Sequence, residues 1–484
     1  MQRCVRAVHA VACSRVPPVL RSRKLRRIIL AYSVNRLGTW FGLLALLIAT
    51  YDHTQSPLAV AALMFAALAL PAFAVPLLVA RVEASRRRAA LARLYVFEAL
   101  VTAALAVLLS HYSLPVILVL VAVDGTAALA GTALLRAEVA TAGREEHRTA
   151  YLAADELRDA LVAPAEAHPA PAAEVSVEEA RHRAEREANA ALNVAFSLTF
   201  VIGPALGGAV VAGIGASAAL LIDVGSFLAC AALLVDLSPQ VQEAGSDSIR
   251  SRLEVAWRHI AEVPGLRHLL GAQMVAMVFI ETGGPIEVPF VKSTLGAGDR
   301  GLGLVLAMWG AGAVLGSIGF ARLVTRPLQN LLAAGALLIG VAYLGLALSP
   351  TLAAACVAGL VGGIGNGFQW PALISTVQRL TPERLHGRLM GAVEALGAIC
   401  LALGLALGGA LVAVSSTRTA FAIVGVGALV SSVALGRVAA RALVGVHDPG
   451  DLKVETLEGT AASRSPGSAA TVAADSSGPP PEGR

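Results

Sequence analysis

Twelve apolar stretches follow one another along the chain, at about 28–50, 57–80, 89–110, 114–138, 190–213, 216–237, 266–290, 301–323, 328–348, 352–376, 389–414 and 418–441, separated mostly by short polar breaks. Within each stretch the apolar positions are continuous rather than alternating, and Leu, Ala and Gly dominate, which argues against strands and for buried helices. A helix rising about 1.5 Å per residue needs roughly 20 such residues to cross a hydrocarbon core of about 30 Å, and each stretch meets that length.

An internal repeat orders the twelve. Residues 205–209 and 406–410 both read ALGGA, in the fifth and eleventh stretches. Basic breaks at Arg81 and Arg322 follow the second and eighth stretches. The interval from Arg81 to Ala205 is 124 positions against 84 from Arg322 to Ala406, so the first half carries 40 extra residues. The expectation is an all-α membrane protein with twelve transmembrane helices in two six-helix bundles, the first bearing an insertion.

That insertion falls at 141–188, where Pro164, Pro169 and Pro171 separate two charged segments expected to be short helices. A solvated linker or a docking segment are both readings of it. The chain divides into a basic arm at 1–27, an N-terminal bundle at 28–237, an amphipathic linker at 238–265, a C-terminal bundle at 266–441 and a Ser, Gly and Pro-rich tail at 442–484, expected to be disordered. In the linker, Leu253, Ala256, Trp257 and Ile260 share one helical face, as on a helix lying along a membrane surface.

Composition agrees, with 56% hydrophobic and 15% charged residues and a mean hydropathy of +0.70. The net charge of +5 points to topology rather than nucleic acid, because the basic residues sit beside apolar stretches. With the N-terminus inside, Arg81, Arg86 to Arg88, Arg250, Arg252, Arg258, Arg322, Arg326, Arg379, Arg384 and Arg388 all fall on the cytoplasmic side. The expected location is therefore the cytoplasmic (inner) cell membrane, multi-pass, with both termini cytoplasmic. Five cysteines without a CxxC pair, and no His at ligand spacing, indicate neither a disulfide framework nor a metal site. No GxxxxGK[ST], HExxH or GxSxG motif is present, so neither an enzyme nor an ATP-driven pump is expected, and no cofactor is called for.

Three segments resemble the major facilitator superfamily, within it the branch of macrolide-efflux and enterobactin-exporter-like proteins, over about 28–441 outside the insertion. LGAGDRGLGLVLAMWGAGAVLGS (295–317) is similar to the start of that family's eighth helix. VQRLTPERLHGRLMGAVEAL (377–396), with Arg384, Gly387 and Arg388, is similar to its loop between helices ten and eleven. IGPALGGA (202–209) resembles the antiporter motif GxxxGPxxGG through Gly203, Pro204, Gly207 and Gly208, with Thr199 at the first Gly. The chain departs from the family in LLVARVEASRRR (77–88), which lacks the usual Gly and Asp, and at Thr39, where the branch commonly has an acid. The resemblance implies the major facilitator fold, export of a small-molecule substrate by alternating access, and a cavity lined by helices one, four, seven and ten.

Charged residues in hydrocarbon cost roughly 2.5–3.5 kcal/mol on insertion scales, so each needs a partner, water or a purpose. Arg36 and Asp124 lie at similar depth from opposite ends of helices one and four, and are expected to form a cavity ion pair that breaks and re-forms, with Asp124 coupling to protons. A static structural pair is the alternative. Glu281 on helix seven is a further cavity candidate. Asn35, and Asn366, Gln369 and Trp370 at i, i+3 and i+4 on helix ten, are substrate-binding candidates. Asp223 and Glu394 read as packing or loop-anchoring residues, and Glu98 as a partner for Arg93 or Arg81. The expected partners are an amphipathic small molecule such as a drug or siderophore-like metabolite, protons and the lipid bilayer, with no nucleic acid and a monomeric chain. An importer, or a degenerate transporter fold serving as sensor or scaffold, are the competing readings.

Overall fold

The computed structural model describes residues 22–74, 90–161, 171–235, 249–323, 325–382 and 385–443. The arm up to Arg21, the basic loop at Arg81 to Arg88, Arg384 and the tail beyond residue 443 lie outside the described residues. Twelve helices are long and apolar enough to cross a membrane: α1 (Arg23–Thr54), α2 (Pro57–Ala74), α3 (Leu91–His111), α4 (Leu114–Arg136), α5 (Ala190–Ile214), α6 (Ala216–Leu234), α7 (Pro264–Thr294), α8 (Gly298–Arg322), α9 (Leu328–Leu348), α10 (Leu352–Arg379), α11 (Arg388–Val414) and α12 (Thr417–Leu443). Among the described residues there is no strand.

Packing separates two sets of six. In the first, α1 lies against α5 and α6, and α3 against α6 and α4. In the second, α10 lies against α8 and α9, and α12 and α11 against α7. The sets meet along α5 with α8 and α2 with α11, pairs that occupy corresponding places in the two halves. Close approach needs small residues, since lipid tails supply no hydrophobic drive between helices. The repeated ALGGA supplies them: a methyl added at Gly208 would collide with Gly303 of α8, and one added at Gly409 with Ala61 of α2.

Two expectations change in the structure. The charged segments flanking 162–170 are not separate short helices. They extend the spans as continuous helices, Leu114–Leu161 and Pro171–Ile214, because positions 137–161 and 172–190 contain no Pro to stop either helix at the membrane boundary. Helix α1 begins at Arg23 rather than 28 because its basic first turns find acceptors. The Arg27 guanidinium donates to the Leu233 carbonyl at 2.6 Å, and Lys24 pairs with the buried Glu138 at 2.9 Å. In the linker helix Ile249–Glu262, Ala256 and Ile260 are buried and Trp257 is exposed.

Two spans are irregular. Helix α2 holds a π turn at Phe65–Ala69, and α7 breaks at Gly283 before closing with a π turn at Phe290–Thr294. Pro285 and Pro289 lack the amide hydrogens that would carry the α7 ladder through. The Tyr343 hydroxyl of α9 donates to the Ile280 carbonyl at 2.7 Å, answering an acceptor next to the break.

Candidate functional site

Arg36 and Asp124 line one cavity of about 120 Å³ inside the first bundle, together with Asn35, Thr39, Thr102 and Asp223. The expected Arg36–Asp124 ion pair is not formed in this conformation. Asp124 accepts a hydrogen bond from Thr102 Oγ1 on α3 at 3.2 Å. The Arg36 guanidinium instead lies over the Phe196 ring of α5, 5.3 Å from its centroid, and its Nε has no acceptor. A neutral hydroxyl holds the carboxylate and an aromatic face holds the cation, so each is placed without the other. Asn35 is buried, with Nδ2 unpartnered.

Asp223 stands where α6 crosses α1. Its carboxylate accepts from Ser226 Oγ at 3.1 Å and lies against Gly38 and Gly42, where a methyl at either position would overlap it. Two glycines one turn apart thus open a slot in α1 for a polar group. Glu98 is fully buried, and neither carboxylate oxygen has a hydrogen-bond partner. The pairing expected with Arg93 is therefore absent, because the Glu98 side chain lies inside the bundle, beside Gly131 of α4, while Arg93 is exposed. Glu394 is exposed.

A second space, of about 270 Å³, lies between α5, α8 and α10 and therefore has walls from both halves. Phe196, Ser197 and Phe200 form one wall; Trp309, Ser317, Asn366 and Trp370 form the others. Of the three helix-ten residues expected on one face, Asn366 and Trp370 line this cleft. Gln369 does not: it is buried and donates through Nε2 to Gln273 Oε1 of α7 at 3.3 Å. Residues at i and i+4 lie within about 40° of each other around a helix of 3.6 residues per turn, while i+3 falls on the other side of i, toward the neighbouring span.

Glu281 lies just before the α7 break and packs against α11, where Gly404 has no side chain to displace it. Gly203 and Gly207 of the GPxxGG segment face α1, where a methyl would overlap Trp40 and approach Leu44. Gly208 faces α8, and Pro204 sits inside the helix with its carbonyl against Gly303. At this same end, where α1 stops at Thr54, Tyr51 and Ser293 share a hydrogen bond of 2.6 Å, and Lys292 pairs with Asp52 at 2.5 Å and Asp299 at 2.7 Å. Sequence reasoning passed over Thr102, Phe196 and Phe200. Only the Gly38/Gly42 spacing carried a signal readable in advance.

The Major Facilitator Superfamily family model matches residues 269–469. The multidrug efflux pump Tap of Mycobacterium tuberculosis is 29% identical over 244 residues, covering 48% of this chain and 57% of that protein. An uncharacterized MFS-type transporter, YfiS, of Bacillus subtilis is 28% identical over 244 residues, covering 46% and 57%. The chain thus spans a little over half the length of the curated relatives it matches. Among solved structures, the nucleoside transporter NupG superimposes with a TM-score of 0.60 at 10% identity, covering 86% of this chain and 99% of that one. A bacterial homolog of the human lysosomal transporter Spinster, inward-facing and unoccupied, gives 0.58 at 14% identity, covering 88% and 97%.

Proposed function

We propose that this chain, whose residues 269–469 match the Major Facilitator Superfamily model, is a member of that superfamily and a secondary active transporter that exports an amphipathic small molecule by proton antiport with alternating access. The observation that carries the reading is the placement of Arg36 and Asp124 in one cavity without a bond between them. An acid and a base that share a chamber but hold other partners are free to exchange those partners as the chamber opens to either side. When Asp124 holds a proton, it has no claim on Arg36. When it releases the proton, the carboxylate and the guanidinium attract strongly in the low-dielectric interior.

Export is supported by the relatives named as efflux pumps and by the GPxxGG segment, whose glycines hold α5 against α1 and α8. With both termini cytoplasmic, the Tyr51–Ser293 and Lys292–Asp52 contacts lie on the outer side, and the conformation is inward-facing. Glu281, beside the broken α7, is the second coupling candidate, and Asn35, Asn366 and Trp370 are the substrate-binding residues.

The test is solute-driven proton movement in proteoliposomes containing the full chain. Asp124→Asn is expected to abolish proton release while leaving solute binding measurable. Undiminished proton-coupled efflux by this variant would remove Asp124 from the mechanism.

A further inference from the structure

Arg36 is a partly buried cation with no anionic partner among the described residues. A guanidinium does not lose its proton in a protein, so burial cannot be relieved by neutralisation. The guanidinium lies over the face of Phe196, which answers the charge but is a poor acceptor, and among the described residues Arg36 has neither a hydrogen bond nor an ion pair. Asn35, next to it on α1, also presents a buried Nδ2 with no acceptor. Two unanswered donor groups therefore line the same cavity. The nearby acids do not answer them: Asp124 is engaged by Thr102 and Asp223 by Ser226, while the Glu98 carboxylate has no hydrogen-bond partner among the described residues.

What is missing is an acceptor with two oxygens, the form a guanidinium binds best. The surroundings also say what should be attached to it. Phe196 links the two spaces: Arg36, which lines the first, lies over its ring, and Phe196 itself lines the cleft between the halves. There it stacks with Phe200 at 5.7 Å between centroids, and Trp370 is 42% exposed on the opposite helix. A volume of about 270 Å³ lies just below the roughly 300–1,000 Å³ of drug-sized pockets, which suits a solute of two or three fused rings.

Resting on the transporter reading above, we propose that Arg36 anchors the acidic group of the transported solute, and that the solute is a flat aromatic acid whose rings lie in the cleft between α5, α8 and α10.

Binding is measured by isothermal titration on the full chain in nanodiscs with three probes that share one ring system: 2-naphthoate, uncharged 2-naphthamide and 2-naphthylmethylammonium. The expected order puts naphthoate at least tenfold tighter than the amide, with the ammonium weakest. Arg36→Gln should remove the preference for naphthoate, Arg36→Lys should keep part of it, and Phe196→Ala should weaken naphthoate and the amide alike. Equal affinities, preference for the ammonium, or no naphthoate binding overturns the assignment, and this comparison on the unsubstituted protein stands even if Arg36→Gln fails to fold. Proton release in proteoliposomes separates the two readings. If cationic or neutral solutes drive it and naphthoate does not, the solute class is wrong while export stands. If naphthoate binds as expected yet no solute drives proton release, the site stands and export falls.

Discussion

Asp223 and Glu98 show two ways of placing a carboxyl group among apolar helices. Asp223 has a hydroxyl donor and a slot cut by Gly38 and Gly42. Filling that slot should be costly: Gly38→Ala is expected to destabilise the protein by about 1–3 kcal/mol, the usual range for overpacking. Gly225→Ala, on α6 with nothing near the added methyl, should be neutral, and comparing the two thermal midpoints in detergent checks the pair. Glu98 has no donor. Replacing an unpartnered buried polar group by an apolar one of similar shape is neutral or stabilising, so Glu98→Met should not lower the midpoint. A clear fall would mean that the carboxyl holds a partner.

At the scale of elements, broken α7 and glycine-rich α5 do different work. The break in α7 leaves carbonyls facing neighbours, and the Tyr343 hydroxyl takes the one at Ile280. Tyr343→Phe removes this donor while the Gly283 amide still serves the carbonyl, so it should cost about 0.5–1.5 kcal/mol, read as a lowered thermal midpoint. In α5 the glycines set distance rather than hydrogen bonding. Gly208→Val would push α8 away at Gly303 and open the end of the bundle away from the termini. The hydroxyls of Tyr51 and Ser293 touch across that end, so cysteines at these two positions should cross-link readily. Adding Gly208→Val is expected to cut the yield roughly tenfold, equivalent to about 1.4 kcal/mol against the closed arrangement.

For the whole molecule, the relation between the halves is held at one end by modest contacts. Lys292, itself on the second half, joins Asp52 of the first half and Asp299 of its own. Asp52 is about half exposed, so this pair contributes at most about 1 kcal/mol and less in salt. Lys292 keeps Asp299 when the halves part, which lowers the penalty for opening. Asp52→Asn should therefore raise the open population only a few-fold, and added salt should mimic it in the unsubstituted protein. Distance distributions between spin labels at this end check both. A latch stronger than this would hold a cycling protein shut.

Apolar stretches of bilayer length, and the ALGGA repeat, fixed the number of spans and their grouping in the sequence itself, because a helix in lipid must satisfy its backbone alone and its length is set by the membrane. Depth counted along the rods likewise brought Arg36 and Asp124 to one level. Rotation about the rods was decided only by packing. It turned Gln369 toward Gln273 and away from Asn366 and Trp370, put Phe196 rather than Asp124 against Arg36, and gave Asp223 its slot between two glycines. Which neighbour a polar side chain meets depends on helices far away in the chain, and no local pattern of residues contains that information.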